Sequence, residues 1–254
     1  MSENTEQNST ISTPTEKQYA DFKSAYASVP SEEKRRAYTM LIAAGITLAV
    51  LLLSRLVWLL KPVLDLVYYG TLPVILYYII ILVIFTVFII VLNHLLKKLC
   101  ACRLFLPQKK HMDVPRTLAV ILVGAIAMLC VSAGFKFKVK IQVEMGSGVT
   151  MATALINLAI YVYYGLHLWL GLTAAALVQR ALTILFPTKF SVPWGSIFLV
   201  TVFGLLEFAF EFGTTTHLYP WLYYILTYAY AVVYELTDHS FHLTYWASII
   251  IMVL

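Results

Sequence analysis

The chain has 254 residues, of which 61% are hydrophobic and only 12% are charged, and its formal net charge is +5. A soluble domain is about 45–50% apolar and about 25% charged, so this composition excludes an ordinary soluble protein. No basic run is interleaved with aromatic residues in a polar region, which argues against a nucleic-acid partner, and three cysteines without CxxC spacing exclude a disulfide framework.

Apolar runs of 18 or more residues recur along the chain, and each is long enough to cross a hydrocarbon core of about 30 Å as a helix. A β-barrel would instead show segments of about ten residues with alternating polarity. We therefore predict an all-α fold, a polytopic transmembrane helix bundle of six to seven spans in a lipid bilayer. Two regions are expected, a tail at 1–36 and a transmembrane domain at 37–254.

The tail should face the cytoplasm. Residues 1–15 are rich in Ser, Thr, Glu, Asn and Gln, and we expect them to be disordered. Residues 16–28 carry three aromatics at helical spacing, which favours a short amphipathic helix over a loose tail. The basic triplet at 34–36 immediately precedes the first span, so the positive-inside rule places the amino terminus in the cytoplasm.

The hydrophobic pattern also sets the order of the spans. They are predicted at about 37–60, 73–96, 117–135, 149–170, 192–213 and 218–234, with a last apolar run at 243–254 that is short for a crossing. The fourth run continues to residue 186, and we predict an interfacial or tilted segment there that ends near residue 180. The third span is rich in small residues, so we expect it inside the bundle.

Two connections carry information about sidedness and structure. The loop at 97–116 is the most basic in the chain and is predicted to be cytoplasmic. Residues 136–141 alternate lysine with apolar residues, the period-2 pattern of a half-exposed strand. This threading puts the segment outside, where its three lysines oppose the positive-inside rule.

The charged residues within the spans are the candidate functional residues. Glu207 and Glu211 lie four residues apart, on one face of an apolar helix. A charge within a span costs about 2.5–3.5 kcal/mol on insertion scales. Arg55 in the first span is predicted at comparable depth, so we expect a polar intramembrane cluster of Arg55, Glu207 and Glu211. Such a cluster suits a proton or cation relay, a clamp between helices, or a contact with a partner subunit.

Two further polar groups lie in the fourth span. Asn157 and His167 are candidate substrate or ligand contacts, although a lone histidine on an apolar helix is more often a hydrogen-bonded interior residue.

The favoured function is non-enzymatic: a small permease for a solute or ion, or an auxiliary subunit of a membrane assembly, without a cofactor. The alternative is a membrane-embedded, metal-dependent hydrolase acting on a lipid or peptide through Glu207, Glu211, His239 and His242, because carboxylate and imidazole suit zinc or iron. The threading puts these glutamates and histidines about a full crossing apart, which argues against that site. The predicted setting is the cytoplasmic (plasma) membrane, with the endoplasmic reticulum membrane as the alternative.

Overall fold

A computed structural model describes residues 24–57, 72–100, 112–134, 151–187, 192–212 and 218–253. The predicted strand at 136–141 and the predicted disorder at 1–15 lie outside these residues. Within the predicted amphipathic segment, residues 24–28 are helical and the remainder is likewise outside the described part.

The described residues are helical and include no strand, which confirms the all-α prediction for this part of the chain. The elements are α1 (Ser31–Val57), α2 (Leu72–Cys100), α3 (Val114–Gly134), α4 (Met151–Leu185), α5 (Trp194–Phe198), a π turn (Leu199–Phe203), α6 (Gly204–Phe212), α7 (Leu218–Leu236) and α8 (Phe241–Val253).

Three helices are long and apolar enough to cross a membrane, judged by length and composition: Ser31–Ser54, Ile75–Cys100 and Leu158–Leu185. Shorter apolar helices occur at Val114–Cys130, Trp194–Leu206 and Phe241–Ile251. The composition and these helices indicate a helical membrane protein. The total of six to seven spans and the cytoplasmic amino terminus stay predictions.

Helix α4 forms the centre of the bundle, packing against α1, α2, α5 and α8. Its buried run extends from Leu170 to Leu177 and includes three consecutive alanines, which allow neighbouring helices to approach closely. One helix continues to Leu185, where we predicted a span to about residue 170 followed by an interfacial or tilted segment. The part of this helix after residue 170 is deeply packed among the described residues, so the structure does not favour an interfacial position for it.

Helix α3 lies at the edge of the bundle, against α7 and α8. Its buried positions include Gly124 and Ala127, whereas Leu118, Ile121 and Leu122 are each 61% exposed. The prediction that small residues place this helix inside is therefore wrong. Small residues form one narrow stripe on α3, while large apolar side chains cover the rest of its surface.

The helices alternate in direction, so several helix ends meet on one side of the bundle. The Cys100 thiol lies 3.9 Å from the Arg36 carbonyl, which joins the end of α2 to the start of α1. The Phe186 ring lies 6.4 Å from both Tyr26 and Trp194, so the end of α4 joins the segment before α1 and the start of α5.

This side of the bundle, which we call the basic end, carries Lys34, Arg35, Arg36, Lys97, Lys98 and Arg116. Both the predicted cytoplasmic loop at 97–116 and the triplet at 34–36 adjoin it. The helix packing thus brings together those of the cations behind the sidedness prediction that lie in the described residues.

Candidate functional site

The predicted polar cluster is described only through its backbone. Arg55 lies near the end of α1, and Glu207 and Glu211 lie in α6. The side chains of all three, and that of Asn157 in α4, lie outside the described residues. Helix α1 packs on α4 and α2, whereas α6 packs on α7 and the π turn. The cluster therefore stays a prediction.

His167 occupies an aromatic box in the centre of the bundle. It is only 5% exposed, and its ring centroid lies 6.4 Å from Phe85, 5.7 Å from Tyr163 and 5.6 Å from Phe203. The box joins α4 to α2 and to the π turn. This position is that of an interior histidine, while its predicted role as a ligand contact stays untested.

A second aromatic cluster holds α8 against α4. The Trp169 ring packs edge-on against Phe241 and Tyr245, with centroid distances of 4.6 and 4.8 Å. The His242 ring lies 6.4 Å from Trp169. His242 therefore belongs to the packing between these two helices.

His239 belongs to a polar cluster at the basic end. We call this cluster the polar junction, and it consists of Arg116, Ser196, Glu235, Asp238 and His239. Ser196 donates a hydrogen bond to one carboxylate oxygen of Glu235, and His239 Nε2 lies 3.1 Å from the other. Arg116 pairs with Asp238 through Nη1 and Oδ2. Side chains from α3, α5, α7 and the turn before α8 thus meet in one place.

The chain reverses at the polar junction through a left-handed turn. Asp238 and His239 have φ values of 51° and 61°, a conformation that favours glycine but is tolerated by Asp and His. The amide of His239 bonds to the Tyr234 carbonyl at 2.9 Å and that of Asp238 to the Glu235 carbonyl at 3.0 Å. These two bonds form the Schellman motif that commonly ends helices. The turn ends α7 and reverses the chain direction, so that α8 runs back along the bundle.

The geometry of the polar junction does not match nucleophilic catalysis. In a serine hydrolase the histidine contacts the serine and the carboxylate lies behind it, whereas here Glu235 lies between Ser196 and His239. Within the described residues, no group of three or more His, Cys, Asp or Glu side chains is placed to hold a metal ion. The junction is suited to joining helix ends.

The backbone also separates the two halves of the predicted metal site. Phe208 of α6 packs against Trp221 near the start of α7, at 5.0 Å between centroids, while His239 follows the end of α7. At about 1.5 Å per residue, α7 is roughly 28 Å long. The side chains of Glu207 and Glu211 are outside the described part, so the metal site stays a prediction, but this separation argues against it.

Gln179 is a structural residue that the sequence did not reveal. Its buried amide nitrogen donates to the Val192 carbonyl at 3.0 Å, and its amide oxygen accepts the Gly195 N–H at 2.7 Å. The side chain thereby caps the first turn of α5, a helix start without a side-chain cap from its preceding residue Pro193. A lone glutamine in an apolar helix gives no signal of the loop that it binds.

An apolar groove of about 560 Å³ opens on the surface between α3 and α8. Val120, Gly124 and Ala125 form one wall, and Ala247 and Ile251 belong to the other. No family model, curated protein or solved structure matches this chain, so its function is inferred from its own geometry.

Proposed function

We propose that this chain is a non-enzymatic, multi-pass membrane protein that acts as an auxiliary subunit of a larger membrane assembly. The observation that carries the proposal is that buried threonine hydroxyls form hydrogen bonds within the bundle. Thr47, Thr173 and Thr244 each donate to a carbonyl one turn earlier in their own helix, at 2.7–2.8 Å.

Such hydroxyls are satisfied within a helix and need no water-filled cavity. Gln179 likewise bonds to the neighbouring loop, and Thr237 bonds to Thr244 at 2.7 Å across the turn between α7 and α8. These contacts stabilise a closed bundle, as expected for a subunit that works through its outer surface. The long apolar faces of α2 and α3 are the surfaces available for lipid or other membrane subunits.

A small permease is the second candidate, and the three charges within predicted spans favour it. An arginine and two glutamates in apolar helices are costly unless paired or functional. In a permease, Arg55, Glu207 and Glu211 would bind or relay a proton or another small ion. The hydrolase alternative needs the joint metal site, against which the length of α7 argues.

Two measurements separate the candidates. For the subunit, the tagged chain is extracted with its native lipid in polymer nanodiscs, and particle mass and peptide stoichiometry are measured. We expect a second membrane polypeptide in a fixed ratio that persists when expression is lowered. A particle containing only this chain contradicts the subunit proposal.

For the permease, the purified chain is reconstituted into liposomes that enclose a pH-sensitive dye, and proton flux is measured with an imposed potential. The subunit proposal predicts no flux above that of empty liposomes. Flux that is abolished by Glu207→Gln but retained by Glu235→Gln, a matched carboxylate change at the polar junction, would establish the permease instead.

A further inference from the structure

The groove between α3 and α8 has the chemistry of an alkyl-chain site. Every residue that lines it is apolar, so nothing within it can orient a polar ligand. Its volume of about 560 Å³ is within the range of roughly 300–1,000 Å³ typical of small-ligand sites.

Small residues give the groove its depth. A Cβ atom added at Gly124 would lie 3.3 Å from Cγ1 of Ile251. The absence of a side chain at Gly124 therefore lets α8 approach α3 closely, and this contact forms the floor of the groove. Ala125 and Ala247 leave open the space above this floor. Larger side chains at these two positions would occupy the volume that we assign to a ligand.

Arg116 is a cation on α3 between the groove and the basic end of the bundle. Arg116 lies one turn before Val120 and two turns before Gly124, close to the same face of α3. Its side chain is 46% exposed and uses Nη1 for Asp238. Guanidinium has five N–H donors, and its planar fork matches phosphate oxygens.

The sequence that leads up to Arg116 is basic. The segment 97–116 contains six Lys and Arg residues against one acidic residue, Asp113. On the predicted threading this segment faces the cytoplasmic leaflet, which is the leaflet enriched in anionic lipid. We infer that the groove binds one acyl chain of an anionic phospholipid and that Arg116 binds the phosphate of the same lipid. This site is independent of the proposed function, since a subunit or a permease can carry it.

The test uses phosphatidylglycerol with a diazirine on one acyl chain, at one part in ten of a phosphatidylcholine bilayer containing the full-length protein. After photolysis, cross-linked peptides are quantified by mass spectrometry. We expect adducts concentrated on residues 120–129 and 247–251. The same diazirine chain on phosphatidylcholine should give adducts there that are weaker by at least about fivefold, because its choline cation cancels the net charge of the headgroup and is repelled by Arg116.

Two pairs of variants test the two halves of the site. Ala125→Leu fills the groove and should reduce these adducts by at least about fivefold, whereas Leu122→Phe adds bulk on the same helix outside the groove and should not. Arg116→Gln should remove the preference for phosphatidylglycerol. Arg36→Gln, which also removes a half-exposed arginine paired with a carboxylate, should leave that preference intact.

Equal adducts in Ala125→Leu and Leu122→Phe would overturn the acyl-chain site. Equal adducts from the two lipids in the parent protein would overturn the selection of an anionic lipid, and equal adducts from Arg116→Gln and the parent protein would overturn the role of Arg116. Protein–protein cross-links that replace lipid adducts at 120–129 would show that a partner helix covers the groove. If Ala125→Leu lowers the apparent melting temperature, Ala247→Leu on the opposite wall repeats the test.

Discussion

Individual polar side chains in this protein hold helix ends together, and Gln179 shows this most clearly. Its amide satisfies one backbone donor and one backbone acceptor that would otherwise be buried next to α5. An unsatisfied buried group costs about 1–3 kcal/mol. Gln179 therefore contributes more to the stability of the protein than a lone glutamine in an apolar sequence would suggest.

Replacing Gln179 by Met keeps the volume and removes both hydrogen bonds. We expect a loss of about 1–3 kcal/mol, and an apparent melting temperature in detergent that is lower by about 2–4 °C for each kcal/mol. Leu182→Met, on the same helix, serves as the control because it conserves volume without a hydrogen bond. Equal melting temperatures for the two variants would show that Gln179 has no capping role.

At the scale of helices, the approach of α5 to α4 requires a missing side chain. A Cβ atom at Gly195 would lie 2.7 Å from Cε1 of Tyr234 and 3.0 Å from the backbone oxygen of Ala175. The backbone oxygen cannot move without displacing α4. Gly45 on α1 is exposed and has no atom within 4 Å of the corresponding position.

These two glycines form a matched pair for mutation. Gly195→Ala should destabilise the protein by about 1–3 kcal/mol through overpacking, whereas Gly45→Ala should leave stability unchanged or raise it by up to about 1 kcal/mol. Thermal unfolding in the same detergent compares them. A similar melting temperature for both variants would contradict the close contact between α4 and α5.

The sequence predicted the existence of most helices better than it predicted their positions in the bundle. Long apolar runs identify α1, α2 and α4, because length and hydrophobicity are local properties. The burial of α4 beyond Leu170 and the peripheral position of α3 depend on which neighbour each helix meets, and a single sequence does not encode this visibly. Glu235, Asp238 and His239 are neighbours in sequence, but their partners Ser196 and Arg116 are distant in sequence and lack any local signal.

At the scale of the whole molecule, the alternating helices bring Lys and Arg residues from several helix ends to one side of the bundle, the basic end. The starts of α1 and α3 and the end of α2 carry its cations. Cytoplasmic loops are enriched in Lys and Arg, so this end should face the cytoplasm. The orientation is testable without knowledge of function.

For this test, single cysteines replace Lys98 and Val114 in a chain lacking Cys100, Cys102 and Cys130. A membrane-impermeant maleimide should label both positions only after the cells are permeabilised. Thr215→Cys, in the predicted outer loop, should be labelled in intact cells. Labelling of Lys98→Cys or Val114→Cys in intact cells would reverse the orientation and would place the inferred lipid site in the outer leaflet.

The π turn between α5 and α6 affects how the chain tolerates changes in its length. The amide of Gly204 bonds to the Leu199 carbonyl five residues earlier, so this turn holds one residue more than an α turn. Deleting Thr201 would convert the same bond into an ordinary α-helical one, and Phe208 would keep its place against Trp221. Deletion of a residue within regular helix would instead rotate all that follows by about 100°. The helix from Trp194 to Phe212 thus contains one residue more than regular helix needs, and a variant without Thr201 can retain the same packing.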